Sequence, residues 1–144
     1  MKKIADIFKR KGTGSIHVSA DDSVLHALQI MSQNNIGSVV VLKDQQFVGL
    51  ITERDYARKV ILLGKNSHEL TVSEIMSSDL PKVTLQSNMV ECMEIMTTHN
   101  IRYLPVFDGT SFIGVVSIID IVKETIDEQK NIIEELHNYI YSAQ

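Results

Sequence analysis

Two stretches of this chain decide its fold: Gly49-Leu50-Ile51-Thr52-Glu53-Arg54-Asp55 and Gly114-Val115-Val116-Ser117-Ile118-Ile119-Asp120. Each begins with glycine and runs through apolar residues of strand type. Each then reaches a hydroxyl residue followed three positions later by aspartate, the signature of a helix start. The stretches lie 65 positions apart, and at that offset residues 18–56 align without a gap on residues 83–121. Nine of the 39 pairs are identical (Val18/Val83, Ile30/Ile95, Met31/Met96, Asn35/Asn100, Ile36/Ile101, Val41/Val106, Phe47/Phe112, Gly49/Gly114, Asp55/Asp120). Shared composition alone would give about two or three. The chain is an internal duplication.

Working outward, the same local signals recur in each copy. Ile16-His17-Val18 is a short extended piece, and Asp21, Asp22 and Ser23 offer helix-start chemistry before Val24, Ala27, Leu28 and Met31 at helical spacing. Ser87 and Asn88 do the same before Met89, Met93 and Met96. Two strands follow, Ser38 to Leu42 and Phe47 to Ile51, across the polar Lys43-Asp44-Gln45-Gln46. They are echoed by Tyr103 to Phe107 and Phe112 to Val116, across Asp108-Gly109-Thr110-Ser111. Each second strand enters a helix directly, so the unit is β-α-β-β-α, written twice, and the fold class is mixed α+β. One copy of about 50 residues cannot cover both its sheet and its helix stripes. The expectation is therefore a pseudo-two-fold pair with the sheets face to face.

The boundaries read as residues 1–66 for the first repeat, 67–125 for the second and 126–144 for a helical extension. Ile4, Ile7 and Phe8 mark a lead-in helix to the first repeat, and Val72-Ser73-Glu74-Ile75-Met76 a helical turn leading into the second. The first repeat's last helix is expected to run to about Leu63, with Gly64 ending it. Beyond the second repeat, Val122, Ile126, Ile133, Leu136 and Ile140 continue a helical stripe, with Lys123, Glu124, Glu128, Lys130 and Glu135 on other faces. Either that helix packs back on its own chain, or the stripe is a contact between subunits.

Composition narrows the function. Of 144 residues, 44% are apolar and 22% charged, and the net charge of −4 argues against a general nucleic-acid binder. The lone Cys92 excludes a disulfide framework within one chain and suits a reducing compartment. No uncharged apolar run approaches a membrane span, and the Met1-Lys2-Lys3 start meets Asp6 rather than a secretory apolar core. A cytoplasmic protein is expected.

With Ile101-Arg102-Tyr103-Leu104-Pro105-Val106, the two deciding stretches closely resemble the cystathionine-β-synthase-type (CBS) domain pair, or Bateman module. Val72-Ser73-Glu74-Ile75-Met76 resembles that family's signature between repeats, and the likeness spans roughly residues 4–122. The resemblance implies regulatory binding of adenosine-containing ligands in clefts between the two copies, usually in a homodimer, and no catalysis. Carried over residue by residue, one cleft would contain Thr52, Arg54 and Asp55 with Met76, Pro81, Lys82, Ile101, Arg102, Tyr103 and Pro105. The other would pair Ser117, Ile119 and Asp120 with Ser15, Ile16, Ile36, Gly37 and Ser38.

The chemistry of these residues can be weighed beside that likeness. Thr52-x-x-Asp55 and Ser117-x-x-Asp120 also fit a capping box, in which the carboxylate serves only its own backbone. A carboxylate at a helix N-terminus can instead accept both hydroxyls of a ribose, with a phosphate beside it at the positive end of the helix. Arg54 and Arg102 would give the first cleft two guanidinium forks for phosphate oxygens. In the second cleft the matching positions are Ile119 and Gly37, so it keeps an acceptor but lacks the cations. That cleft is expected to bind more weakly, to take an uncharged adenosine moiety, or to stay empty. Pro81, Ile101 and Met76, and in the second cleft Ile16 and Ile36, would supply apolar walls for adenine. Pro105 in a strand suggests an edge or a bulge that leaves backbone groups available.

Other chemistry finds no support. Gly12-Thr13-Gly14 is not a dinucleotide fingerprint, Gly64-Lys65-Asn66-Ser67 is not a phosphate loop, and His68-Glu69-Leu70-Thr71-Val72 has no second histidine for zinc. Cys92 pairs with Ala27 on an inner helical stripe and reads as a buried small hydrophobe. No catalytic or metal-binding constellation appears. The leading expectation is a stand-alone regulatory sensor, homodimeric, that binds AMP, ADP, ATP or NAD and signals to a protein partner, with no role at a membrane. The alternative is a ligand-free module for dimerisation or scaffolding. An enzyme is a third reading.

Overall fold

A computed structural model describes residues 1–143. The chain forms two compact units, one of residues 14–80 and one of residues 1–13 with 81–143. In the first, β1 (His17–Ser19), α2 (Val24–Asn34), β2 (Ser38–Lys43), β3 (Gln46–Thr52) and α3 (Glu53–Lys59) follow the predicted order. In the second, β4 (Val83–Thr84), α5 (Met89–His99), β5 (Tyr103–Asp108), β6 (Ser111–Ser117) and α6 (Ile118–Ser142) repeat it. Each sheet has three strands, with the middle one parallel to its first neighbour and antiparallel to its second.

The duplication extends to single backbone bonds. Ser23 caps α2 by accepting from His26 N at 3.1 Å, and Asn88 caps α5 by accepting from Glu91 N at 2.9 Å. Both helices end on asparagine in the left-handed region, Asn35 at φ 53° and Asn100 at φ 52°, which explains why this pair is identical. Gly49 has a different reason to be glycine. A Cβ there would lie 2.6 Å from the carbonyl oxygen of Ser77, because the segment after α4 (Val72–Ile75) runs against β3. The first repeat's last helix is shorter than expected: α3 stops at Lys59, a 3-10 turn covers Ile61–Leu63, and Gly64 ends that turn at φ 69°.

The lead-in helices differ from the sequence reading. α1 (Ile4–Lys11) packs on the second repeat, where Ile4, Ile7 and Phe8 share a core with Met89, Cys92 and Met96. α4 packs on the first, where Val72 and Ile75 join Val24, Ala27 and Met31. Matching bonds hold both in place. Ile4 N and Ala5 N donate to Ser87 O and Leu85 O, while Val72 N and Ser73 N donate to Asp22 O and Ala20 O. An amphipathic helix advertises that one face is buried, but not which surface buries it. Residues 1–66 therefore do not form one unit: α1 joins the second repeat, from which it is distant in sequence, while α4, which follows the first repeat closely, completes the first.

Candidate functional site

The two hydroxyl-x-x-aspartate turns stand where β3 meets α3 and where β6 meets α6. Thr52 and Ser117 are the N-caps, and each receives the backbone N–H of its aspartate, at 3.0 and 3.2 Å. Each aspartate in turn accepts from the cap's own N–H, Asp55 Oδ2 at 3.0 Å and Asp120 Oδ2 at 2.9 Å. Both turns are complete capping boxes. The oxygens left over decide what else each carboxylate can do.

Asp55 is only 7% exposed and its acceptor positions are filled. Oδ2 also takes the Thr52 hydroxyl at 3.0 Å, and Oδ1 takes the Ser77 hydroxyl and the Lys59 ammonium, each at 3.0 Å. Four donors match the capacity of an ionised carboxylate. Lys59 Nζ further donates to Ile75 O at 2.9 Å, so Asp55, Lys59 and Ser77 tie α3 to the end of α4.

Asp120 differs. Its Oδ2 takes Ser117 N and Lys11 Nζ, the latter at 2.9 Å, and Lys11 also donates to Val115 O at 2.9 Å. No hydrogen bond from the described residues reaches Oδ1. Burial pushes the Asp120 carboxyl up, but the Lys11 ammonium and the Ser117 N–H outweigh it and hold the group below its ordinary value of 3.8. The turn expected to lack a cation thus has one, brought by α1 from 109 residues away. That overturns the premise on which sequence ranked the two turns.

The other predicted residues divide by unit. In residues 14–80, Gly37-Ser38 lies beside Thr52-Glu53, with Ser38 paired to Thr52 and Glu53 N donating to Gly37 O at 3.1 Å. Ile36 and Gly37 line an open depression of about 650 Å³ with Glu53 and Tyr56. Ser15 and Met76 are half-buried, Met76 against the core, and Ile16 is exposed. Arg54 is half-buried at the second position of α3. In the other unit, Arg102 is exposed and its carbonyl accepts Ile118 N at 2.9 Å, while Tyr103 pairs with Ser117. Lys82 sits 4.5 Å over the Phe107 ring. Ile101 packs on the core, Pro81 is half-buried and Ile119 is exposed. Each unit therefore holds part of both predicted sets.

Pro105 is not on an edge strand, because β5 is the centre of its sheet, although a bulge follows at Val106/Phe107. Its effect falls on β4. In the first repeat Val40 N donates to Ile16 O at 3.2 Å, but Pro105 at the matching place has no N–H to offer Pro81 O, and β4 spans two residues where β1 spans three. Cys92 is buried as expected, and burial pushes its thiol up to about 11.

Sequence reasoning missed Lys59, Ser77 and Lys11. Lys59 had a signal, since it follows Asp55 by one helical turn. Ser77 and Lys11 had none. Among the described residues, no group of three or more His, Cys, Asp or Glu could hold a metal ion, and no helix is long and apolar enough to cross a membrane.

Comparison with known proteins agrees with this geometry. The chain is 36% identical over 146 aligned positions to the mitochondrial CBS domain-containing protein CBSX3 of Arabidopsis thaliana, covering 95% of this chain and 71% of that one. Its fold matches a putative signal-transduction protein with CBS domains from Burkholderia ambifaria (TM-score 0.84, 38% identity, 89% of this chain and 96% of that one). It also matches the CBS domain protein NE2398 (TM-score 0.81, 39% identity, 87% and 98%). The CBS domain family model matches twice, at residues 2–62 and 72–127. With the turns, the repeated sheets and a match to each repeat, this chain belongs to the CBS domain family as a tandem pair.

Proposed function

We propose that this chain is a regulatory module whose ligand is an adenine nucleotide (AMP, ADP or ATP) or NAD, and that it signals occupancy rather than turning over a substrate. A pair of CBS domains fits a regulatory module. The observation that carries the ligand reading is the Asp120 carboxylate, anchored through Oδ2 with Oδ1 available and the Lys11 ammonium beside it. An anchored carboxylate with an open oxygen suits the paired hydroxyls of a ribose, and an adjacent ammonium at a helix N-terminus suits a phosphate.

The Asp55 turn offers a different service. A ribose there must replace the Ser77 hydroxyl and the Lys59 ammonium on Oδ1. Replacement frees the end of α4, on the stretch of chain that joins the repeats, and so gives a route from occupancy to movement. Arg54, Arg102 and Lys82 as phosphate contacts, the apolar walls, the homodimer and a regulated protein partner belong to the same proposal and rest on the family likeness. The saturation of Asp55 favours the second reading, a scaffold without ligand.

Calorimetric titration of the full chain with AMP, ATP and NAD separates the two. We expect heat and a raised melting temperature with at least one of them, and a loss of at least tenfold in affinity in Asp120→Ala. No heat and no thermal shift with any of the three overturns the sensor and leaves the scaffold.

A further inference from the structure

α6 is held to its unit by one face of its first turns: Ile121 and Glu124 are buried, Thr125 is half-buried, and every residue from Asn131 to Ala143 is exposed. The opposite face repeats every seven residues. Ile119, Ile126, Ile133 and Ile140 stand at one position, and Val122, Gln129 and Leu136 stand three residues after the first three of them. Alternating steps of three and four define the a and d seam of a coiled coil. The six apolar members are each between 46 and 65% exposed. A free helix as short as residues 131–142 is marginal in water, so these turns call for a partner over the seam.

Side-chain choice and charge identify that partner. β-branched isoleucine at every a position, with leucine at one d position (Leu136), favours two strands over three or four in a parallel coil. Lys123, Lys130 and His137 fall on the e flank, whereas Thr125, Ile132 and Tyr139 fall on the g flank. An antiparallel pair of identical helices sets e against e and forces these basic groups together. A parallel pair sets each basic flank against an uncharged one, Lys123 against Ile118, Lys130 against Thr125 and His137 against Ile132, where the Lys123 stem can cover Ile118. The acids Asp127, Glu128, Glu134 and Glu135 occupy outer positions. Gln129, the polar group in the seam, faces its counterpart only when the helices are in register, where the two carboxamides can bond to each other.

We infer that α6 forms a parallel, in-register two-stranded coiled coil with α6 of a second copy of this chain. The inference rests on the homodimer of the proposed function and not on its nucleotide, so loss of cross-linking with nucleotide heat retained removes the coiled coil alone. Disulfide trapping under mild oxidation tests it on the full chain, with one cysteine introduced in the seam (Leu136→Cys) or on the outer face (Asn138→Cys). Leu136→Cys should cross-link at least tenfold faster than Asn138→Cys, and adding Ile133→Glu should slow it at least tenfold. Equal rates for the two cysteines, or no effect of Ile133→Glu, overturns the pairing. In a mixture of Ile126→Cys and Leu136→Cys chains, links between the two different chains forming faster than links between two Leu136→Cys chains overturn the parallel direction.

Discussion

Asp55 and Asp120 occupy equivalent places in two copies of one motif, yet four donors surround the first while the second keeps an oxygen without one. The difference comes from residues outside the motif: Ser77 and Lys59 on one side, Lys11 on the other. The depressed Asp120 carboxyl has a consequence for stability. A group whose value is lowered by folding stabilises the protein fully above its unfolded value, and loses that contribution as pH falls through the folded one. Wild type should therefore exceed Asp120→Asn by about 1 kcal/mol, or roughly 3 °C in melting temperature, near neutrality. The gap should close as pH drops below 3.8. Thermal melts of both chains from pH 7 to pH 3 would show it, and a constant gap would mean that the ion pair with Lys11 contributes nothing. The capping chemistry was legible in Thr52-x-x-Asp55 and Ser117-x-x-Asp120, because a capping box is local. The spare oxygen was not, because its neighbours come from far along the chain.

Between elements, the two copies reverse a charge. Lys59 of α3 corresponds to Glu124 of α6, so α3 neutralises its own aspartate while α6 carries two acids on the same face. α1 answers them. Arg10 Nη1 lies 2.6 Å from Glu124 Oε2, Lys2 Nζ lies 3.5 Å from Oε1 and 3.4 Å from Asp127, and Lys11 holds Asp120. Glu124 is 2% exposed, and the Arg10 contact lacks hydrogen-bond alignment, so the buried oxygen is served by charge alone. α4 has no comparable basic turn and needs none. Glu124→Lys should therefore cost about 3 kcal/mol, since it buries a cation among cations. Adding Arg10→Glu should recover at least about 1 kcal/mol of that loss, a coupling that denaturant titration of the four chains in the cycle would measure. Independent effects would mean that charge plays no part in seating α1. That two lead-in helices exist was readable from Ile4, Ile7 and Phe8 and from Val72 and Ile75. Their exchange of repeats was not, since apolar faces of this size are interchangeable until charge and backbone bonds distinguish them.

Across the whole molecule, the chain contributes its first helix to the unit that it completes last. Ile4 and Ile7 are fully buried and Phe8 is 6% exposed, so α1 is part of that unit's core. Removing residues 1–12 should cost the 81–143 unit on the order of 5 kcal/mol, from three buried side chains at roughly 1.5–3 kcal/mol each. The 14–80 unit should keep its own core. Hydrogen exchange should then show protection lost in α5, β5 and β6 and retained in α2, β2 and β3. Equal loss in both units would mean that the division is not energetic. Through such a dependence the second repeat waits on both chain ends, whereas the first is complete within residues 14–80.

By itself the sequence determined the repeated β-α-β-β-α order, the helix caps and the two hairpins, which follow from periodicity and short-range hydrogen-bonding chemistry, while the CBS family was legible as a resemblance carried by the two deciding stretches. Tertiary structure alone decided which helix completes which repeat, why Gly49 admits no side chain, how Pro105 shortens β4, and which carboxylate keeps an open oxygen. Those outcomes depend on atoms brought together from tens to more than a hundred residues apart, and no local pattern specifies such meetings.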